Sequence, residues 1–134
     1  MNFKKIVGLA ATTLALNMGM FGDANAASVG VDCEVRGLNR SKISVNGASL
    51  RAGQYRAYAK SGANVKWSKA FQRPVNGQVE FDFDSDPGDI RAGATAIIKT
   101  FIQNRAVTGS IYKYNSTVPH YTLAATIADS CAAK

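Results

Sequence analysis

Apolar and polar residues alternate with a period of two along most of this chain, which is the mark of half-buried β-strands. Val29, Val31, Cys33 and Val35 share one parity; Asp32, Glu34 and Arg36 take the other. Gly37-Leu38-Asn39 breaks that strand. Residues 41–46 give a second short strand with Ile43 and Val45 inward, and Asn46-Gly47 reads as a turn. In the third strand Tyr55, Ala57 and Ala59 face one way, and Arg56, Tyr58 and Lys60 the other; Ser61-Gly62 turns the chain. Residues 64–73 predict a fourth strand with Val65, Trp67 and Phe71 inward. Asn76-Gly77 is a hairpin signal, so the strands flanking it are expected to pair antiparallel.

The most organised stretch is Gln78 to Ile98. Val79, Phe81 and Phe83 alternate with Glu80, Asp82 and Asp84, which places the carboxylates on the solvent face of a fifth strand. Asp86-Pro87-Gly88-Asp89 then suits a single helical turn: Asp86 at the N-cap, Pro87 at the first position, Asp89 at the third and Gly93 at the end. Residues 94–103 fit neither period and predict a short strand and a loop. Val107 to Tyr114 is a strand interrupted at Gly109, and residues 115–119 turn. In the last strand Leu123 and Ile127 point inward, and Cys131 with them. About seven strands, frequent turn signals and no amphipathic helix predict an all-β fold. The expected form is an immunoglobulin-like antiparallel β-sandwich with one short helical turn after the fifth strand; a small barrel is the alternative.

The first residues bear on compartment. Lys4 and Lys5 precede an apolar run from Ile6 to Leu16, and Ala24-Asn25-Ala26 is a small-residue cleavage site. Residues 1–26 therefore predict a signal peptide, and residues 27–134 one domain of 108 residues, periplasmic or secreted. No later run is long and apolar enough for a membrane span. The chain has 16 basic and 9 acidic residues; without Lys4, Lys5 and Asp23 it keeps 14 and 8. Its only cysteines, Cys33 and Cys131, lie near the two ends of the domain and are expected to form a disulfide. No C-x-x-C is present to suggest redox chemistry.

Charge is unevenly spread. No acidic residue lies between Val35 and Val79, and nine basic ones do. Arg40, Lys42, Arg56, Lys60, Lys66 and Lys69, with Tyr58 among them, form a candidate surface for a polyanion or an anionic envelope component. Lipopolysaccharide phosphates, nucleic acid or an acidic protein would meet it, nucleic acid being the least expected. A solvated strand face guarded by lysines has the same pattern. Five of the nine carboxylates lie between Glu80 and Asp89. Their D-x-D-x-D spacing starts like an EF-hand loop but fails at Pro87 and Gly93, which leaves a non-EF calcium site from Asp84, Asp86 and Asp89 as a minor candidate. No nucleophile elbow appears, and His120 is the single histidine. Asn39-Arg40-Ser41 and Asn115-Ser116-Thr117 match glycosylation acceptors, which are chance matches if the compact leader, with Lys4-Lys5 and the A-x-A end, is the bacterial kind it looks like.

The stretch VEFDFDSDPGDIRAGATAII, Val79 to Ile98, with an early Cys33 and a late Cys131, resembles a family of small, uncharacterised exported proteins of Gram-negative bacteria. The resemblance implies an exported β-rich domain and supplies no catalytic residues. The expected role is non-enzymatic: a binding or structural module without a cofactor, monomeric or weakly associating. The alternatives are a polyanion- or envelope-binding protein, and a secreted inhibitor or effector that meets a protein partner.

Overall fold

The computed structural model describes residues 26–133, so the leader expected up to Ala26 lies almost wholly outside the described residues. Two sheets face each other across a single core. One holds β1 (Ser28–Arg36), β2 (Arg40–Ala48) and β5 (Val79–Asp84), with two-residue strands β6 (Thr95–Ala96) and β9 (Ala132–Ala133) at its margins. Its order is β9-β1-β2-β5-β6. The other holds β3 (Tyr55–Ser61), β4 (Asn64–Trp67), β7 (Ala106–Tyr114) and β8 (Tyr121–Ser130), in the order β4-β3-β7-β8. A five-residue helix, α1 (Pro87–Arg91), follows β5. This is the all-β sandwich that the alternation predicts. Its pairing is antiparallel except where β9 joins β1 and β6 joins β5.

The core follows from strand parity. Val31, Ile43, Val45, Phe81 and Phe83 project from one sheet, and Tyr55, Ala57, Ala59, Val107 and Ile111 from the other. Phe83, Ile43 and Ile111 are fully buried, and each such side chain stabilises the fold by about 2–3 kcal/mol relative to exposure. The two sheets approach closely at Gly109. A Cβ there would stand 2.4 Å from Val31 Cγ2, so the glycine is the condition for contact between β7 and β1. The strand runs through Gly109 unbroken, against the expected interruption, because the absent side chain serves packing rather than a bend.

Asn46-Gly47 does not turn. Both residues lie inside β2, paired with Gly30 and Val29 on one side and Glu80 and Val79 on the other. Gly47 is needed for space: a Cβ would meet Leu50 Cδ1 and Val79 Cγ2 at 2.9 Å. Asn76-Gly77 does turn, with φ of 54° and 76°. The strands either side of it nevertheless do not pair as expected. The chain leaves one sheet at β4 and enters the other at β5, and only Val75 and Gln78 bridge across the turn. Gln72 fastens this crossing. Its backbone exchanges hydrogen bonds with Tyr55, and its side-chain amide donates to Glu80 O and accepts from Glu80 N–H. It thereby acts as one residue of a ladder along the open flank of β5.

Residues 97–103 show no periodicity because they form a plug rather than a strand. Ile97, Phe101 and Ile102 are buried against the core. Two fully buried serines hold the plug's backbone in place of ladder partners. Ser41 Oγ donates to Lys99 O at 2.7 Å and accepts from Ile102 N–H. Ser61 Oγ donates to Ala106 O and accepts from Gln103 N–H, both at 2.6 Å.

The expected disulfide is present between Cys33 and Cys131, whose Cα atoms are 4.8 Å apart. Cys33 belongs to β1 and Cys131 follows β8, so the bridge ties one sheet to the other. Ile127 and Cys131 face inward as expected. Leu123 does not: it is 49% exposed. A bulge between Ile111 and Tyr112 pairs Ile111 with Ala125 but Tyr112 with Leu123, so Ala124 is an extra residue and every side chain before it changes face.

Candidate functional site

Four strands display a cluster of aromatic rings on the outward face of the β4-β3-β7-β8 sheet. Ala57 and Ala59 point into the core, so Arg56, Tyr58 and Lys60 point out. Pairing carries that face across the sheet. Tyr58 lies opposite Trp67 on β4, Arg56 opposite Tyr112 on β7, and Tyr114 opposite Tyr121 on β8. The expectation that Val65 and Trp67 face inward is therefore corrected. In this register both share the parity of Tyr58, and Val65 is 48% exposed. The strand also ends at Trp67 rather than Arg73. Ser68, buried, takes the inward place instead and accepts a hydrogen bond from Ala57 N–H at 3.0 Å. Phe71 too is exposed rather than inward.

The rings touch in a continuous patch. Trp67 sits 4.8 Å from Tyr58, 5.1 Å from Tyr112 and 5.2 Å from Tyr121 between centroids. Phe71 lies 5.6 Å from Tyr114 in an edge arrangement, and His120 stacks on Tyr114 at 6.2 Å. Such tilted and edge contacts are the favoured geometries of aromatic pairs. The Arg56 guanidinium stands over both Trp67 and Phe71, 5.5 and 5.4 Å from the ring centroids. It donates to Ser68 O at 2.9 Å and to the Tyr121 hydroxyl at 3.3 Å. Those bonds fix the cation among the rings, where cation–π attraction adds to them. Asp129 is the one carboxylate on these four strands, and it lies opposite Val107 on the inward parity, so among the described residues the outward face carries none.

The basic residues expected to act together are separated by the fold. Arg56, Tyr58 and Lys60 share the aromatic face. Lys66 is exposed but lies opposite Ala59, on the other parity at the sheet's margin. Lys69 is exposed in the loop beyond β4, its backbone N–H bonded to Thr95 Oγ1. Arg40 and Lys42 belong to the other sheet altogether. Lys42 lies directly between Glu34 and Asp84 on its neighbouring strands. That outer face is acidic. Asp32, Glu34, Glu80 and Asp82 border a groove of about 750 Å³ there. The molecule thus has one acidic and one aromatic-basic face.

Arg40 is committed rather than free. Its Nε and Nη2 donate to the two oxygens of Asp84 at 3.0 and 2.7 Å, and Nη2 also contacts Asp89. Asp84, expected on the solvent face, is 1% exposed because Arg40 and the start of α1 cover it. Its Oδ1 accepts from Asp86 N–H, and Asp86 caps the helix through Asp89 N–H, as expected. Burial by itself raises the Asp84 carboxyl, but the bonds from Arg40 and Asp86 outweigh it and hold the group at about 2. Asp89 shifts upward through its contact with Asp84. The calcium candidate Asp84, Asp86 and Asp89 is thus organised around a guanidinium, which occupies the space between Asp84 and Asp89 that a cation would need, while Asp86 is turned to the helix end.

His120 Nδ1–H donates to Asn115 O at 3.1 Å and the ring lies on Tyr114; among the described residues no acid or hydroxyl is bonded to it. No described helix is long and apolar enough to cross a membrane.

Fold and site together define a disulfide-closed β-sandwich with an aromatic-cationic sheet face. Comparison with protein-family models, curated proteins and solved structures gave no match. Sequence reasoning missed Trp67, Tyr112, Tyr114 and Tyr121 as surface groups. The signal available was parity: Tyr112 and Tyr114 alternate with Ile111 as Tyr58 does with Ala57 and Ala59.

Proposed function

We propose that this protein is an exported, non-enzymatic binding module whose ligand-bearing surface is the outer face of the β4-β3-β7-β8 sheet. The ligand class that fits best is an anionic glycan of the cell envelope. The observation that carries this reading is the cluster of rings around Arg56 on a face without a carboxylate. Sugar rings expose flat C–H faces that pack on aromatic rings. Their charged substituents would find Lys60 on the face and Lys66 and Lys69 at its margin. The Arg36 to Arg73 surface expected from sequence is thereby narrowed to its part on β3 and the segment after it. The signal-peptide pattern expected of residues 1–26 and the disulfide support a location in the periplasm or outside the cell.

Retention of the oxidised domain on heparin resin tests this. The domain should bind at low salt and elute as salt rises, and Trp67→Ala should weaken binding by about 10-fold, equivalent to about 1.4 kcal/mol. Failure to bind at low salt, or unchanged elution of the Trp67→Ala variant, would refute it. A second reading has its own support: Trp, Tyr and Arg are the residues that dominate protein–protein hot spots. A secreted inhibitor or effector would use the same cluster, and its complex would survive high salt.

A further inference from the structure

The four margins of the two sheets are not alike. On the five-strand sheet, β6 and β9 are two residues long. On the other sheet β4 is four residues long and carries Lys66. Short margins and lysines are the usual means by which sheets avoid pairing with other chains. The last margin, β8, has neither. It runs ten residues from Tyr121 to Ser130, and contains no proline and no charge before Asp129. Among the described residues it pairs with β7 alone.

Its hydrogen-bonding phase shows what is left over. Cys131 N–H donates to Arg105 O across the β7–β8 ladder. Antiparallel alternation then turns the N–H and C=O groups of Ser130, Ala128 and Thr126 away from β7. Thr126 looks onto an open groove of about 1450 Å³ whose walls include Val29 and Gly30 of β1 and Ala124 to Ile127 of β8, and Ala128 and Ser130 lie exposed beyond it. Val29, Ala124 and Ile127 are only partly buried and pack against the core from that side. The groove therefore offers both unpaired backbone and incompletely covered apolar side chains.

We propose that the occupant is β8 of a second copy of this chain, laid antiparallel along the first. A strand added there satisfies both features. A two-fold arrangement makes the edge its own complement, so one surface serves both partners. The neutral run from Tyr121 to Ala128 brings no like charges together. A register centred on Ile127 would also place each Asp129 opposite an alanine, Ala125. The product is one sheet of eight strands, order β4-β3-β7-β8-β8-β7-β3-β4, with both aromatic faces on the same side. This inference stands whether or not those faces bind a glycan.

Sedimentation of the oxidised domain from micromolar to millimolar concentration tests it. A monomer–dimer equilibrium is expected, and it should strengthen with salt because both partners are net positive. Ala128→Pro removes only an N–H that faces the open edge, and should weaken dimerisation by at least about 10-fold. Ala128→Lys should do the same through a gatekeeper charge. Far-UV spectra identify the folded variant, and either one that folds decides. Val65→Pro, on the β4 margin, should leave dimerisation as it is. A monomer at every concentration overturns the proposal. So does a dimer indifferent to both Ala128 variants, or one that weakens with salt as contact between acidic and basic faces would.

Discussion

Replacing Arg40 by alanine should destabilise the domain more than any other single charge removal, and the loss should depend on pH in a defined direction. The Asp84 side chain is 2% exposed and that of Arg40 20%. The arginine supplies two of the three hydrogen bonds to that carboxylate; the third comes from Asp86 N–H. Removing one partner of such a pair leaves a buried charge without compensation, which costs about 3–5 kcal/mol. Because 20% of Arg40 still meets solvent, the lower end of that range applies: about 3 kcal/mol near neutral pH. The pH dependence follows from Asp84. Its folded-state pKa, about 2, lies below the value of about 3.9 for an unfolded aspartate, so it stabilises the fold above pH 3.9 and that contribution fades as pH falls toward 2. The ceiling on that contribution is about 2.5 kcal/mol. Asp89, shifted upward, opposes it weakly in the mildly acidic range. Without Arg40, its bonds no longer offset burial and the Asp84 carboxyl moves upward. The variant can then relieve its penalty by taking up a proton. Urea unfolding of wild type and Arg40→Ala, repeated from pH 7 to pH 3, should show the gap narrowing as pH falls. Asp84→Asn in the Arg40→Ala background should recover part of the loss at pH 7. A gap under about 1 kcal/mol at pH 7, or one that does not change with pH, would show that this pair is an ordinary surface contact.

Two further outcomes follow from covalent and packing constraints. Reduction of Cys33–Cys131 frees a loop spanning 98 positions in sequence, and should lower the unfolding free energy by about 4–5 kcal/mol on the chain-entropy model; a loss under about 1 kcal/mol in urea with and without reductant would contradict it. Gly109→Ala drives a methyl group into Val31 and should cost about 1–3 kcal/mol, with partial recovery in the Val31→Ala background; additive effects in that double variant would mean that the two residues do not meet.

Much of the sandwich is legible in the chain because a strand's parity is a local property. Val29 to Arg36, Tyr55 to Lys60 and Val79 to Phe83 alternate without interruption, and each buries the face its pattern predicts. The cap at Asp86 is equally local, since it needs only Asp86, Pro87 and Asp89 in order. What failed depended on distant partners. Asn46-Gly47 has the composition of a turn, but Val79 and Leu50 close on Gly47 and require a residue without a side chain. Leu123 keeps its apolar character, yet a bulge in pairing with β7 sends it outward. Trp67 is the largest side chain in the domain, and size alone argues for the core. Its face is instead decided by register with Tyr58, which no short window of sequence contains. The same holds for the basic residues: proximity in sequence grouped Arg40 and Lys42 with Arg56 and Lys60, but consecutive strands were dealt to opposite sheets.

The bridge between Cys33 and Cys131 has a consequence for the covalent integrity of the molecule. Almost the whole fold, from the middle of β1 to the residue after β8, lies within the loop it closes. Exposed connections inside that loop include Leu38, Val75 and Val118. One cleavage at any of them opens the ring but releases no fragment, because the two pieces remain joined through sulfur. A singly nicked molecule would therefore migrate as cleaved only after reduction, and a second cut would be needed before any strand could leave.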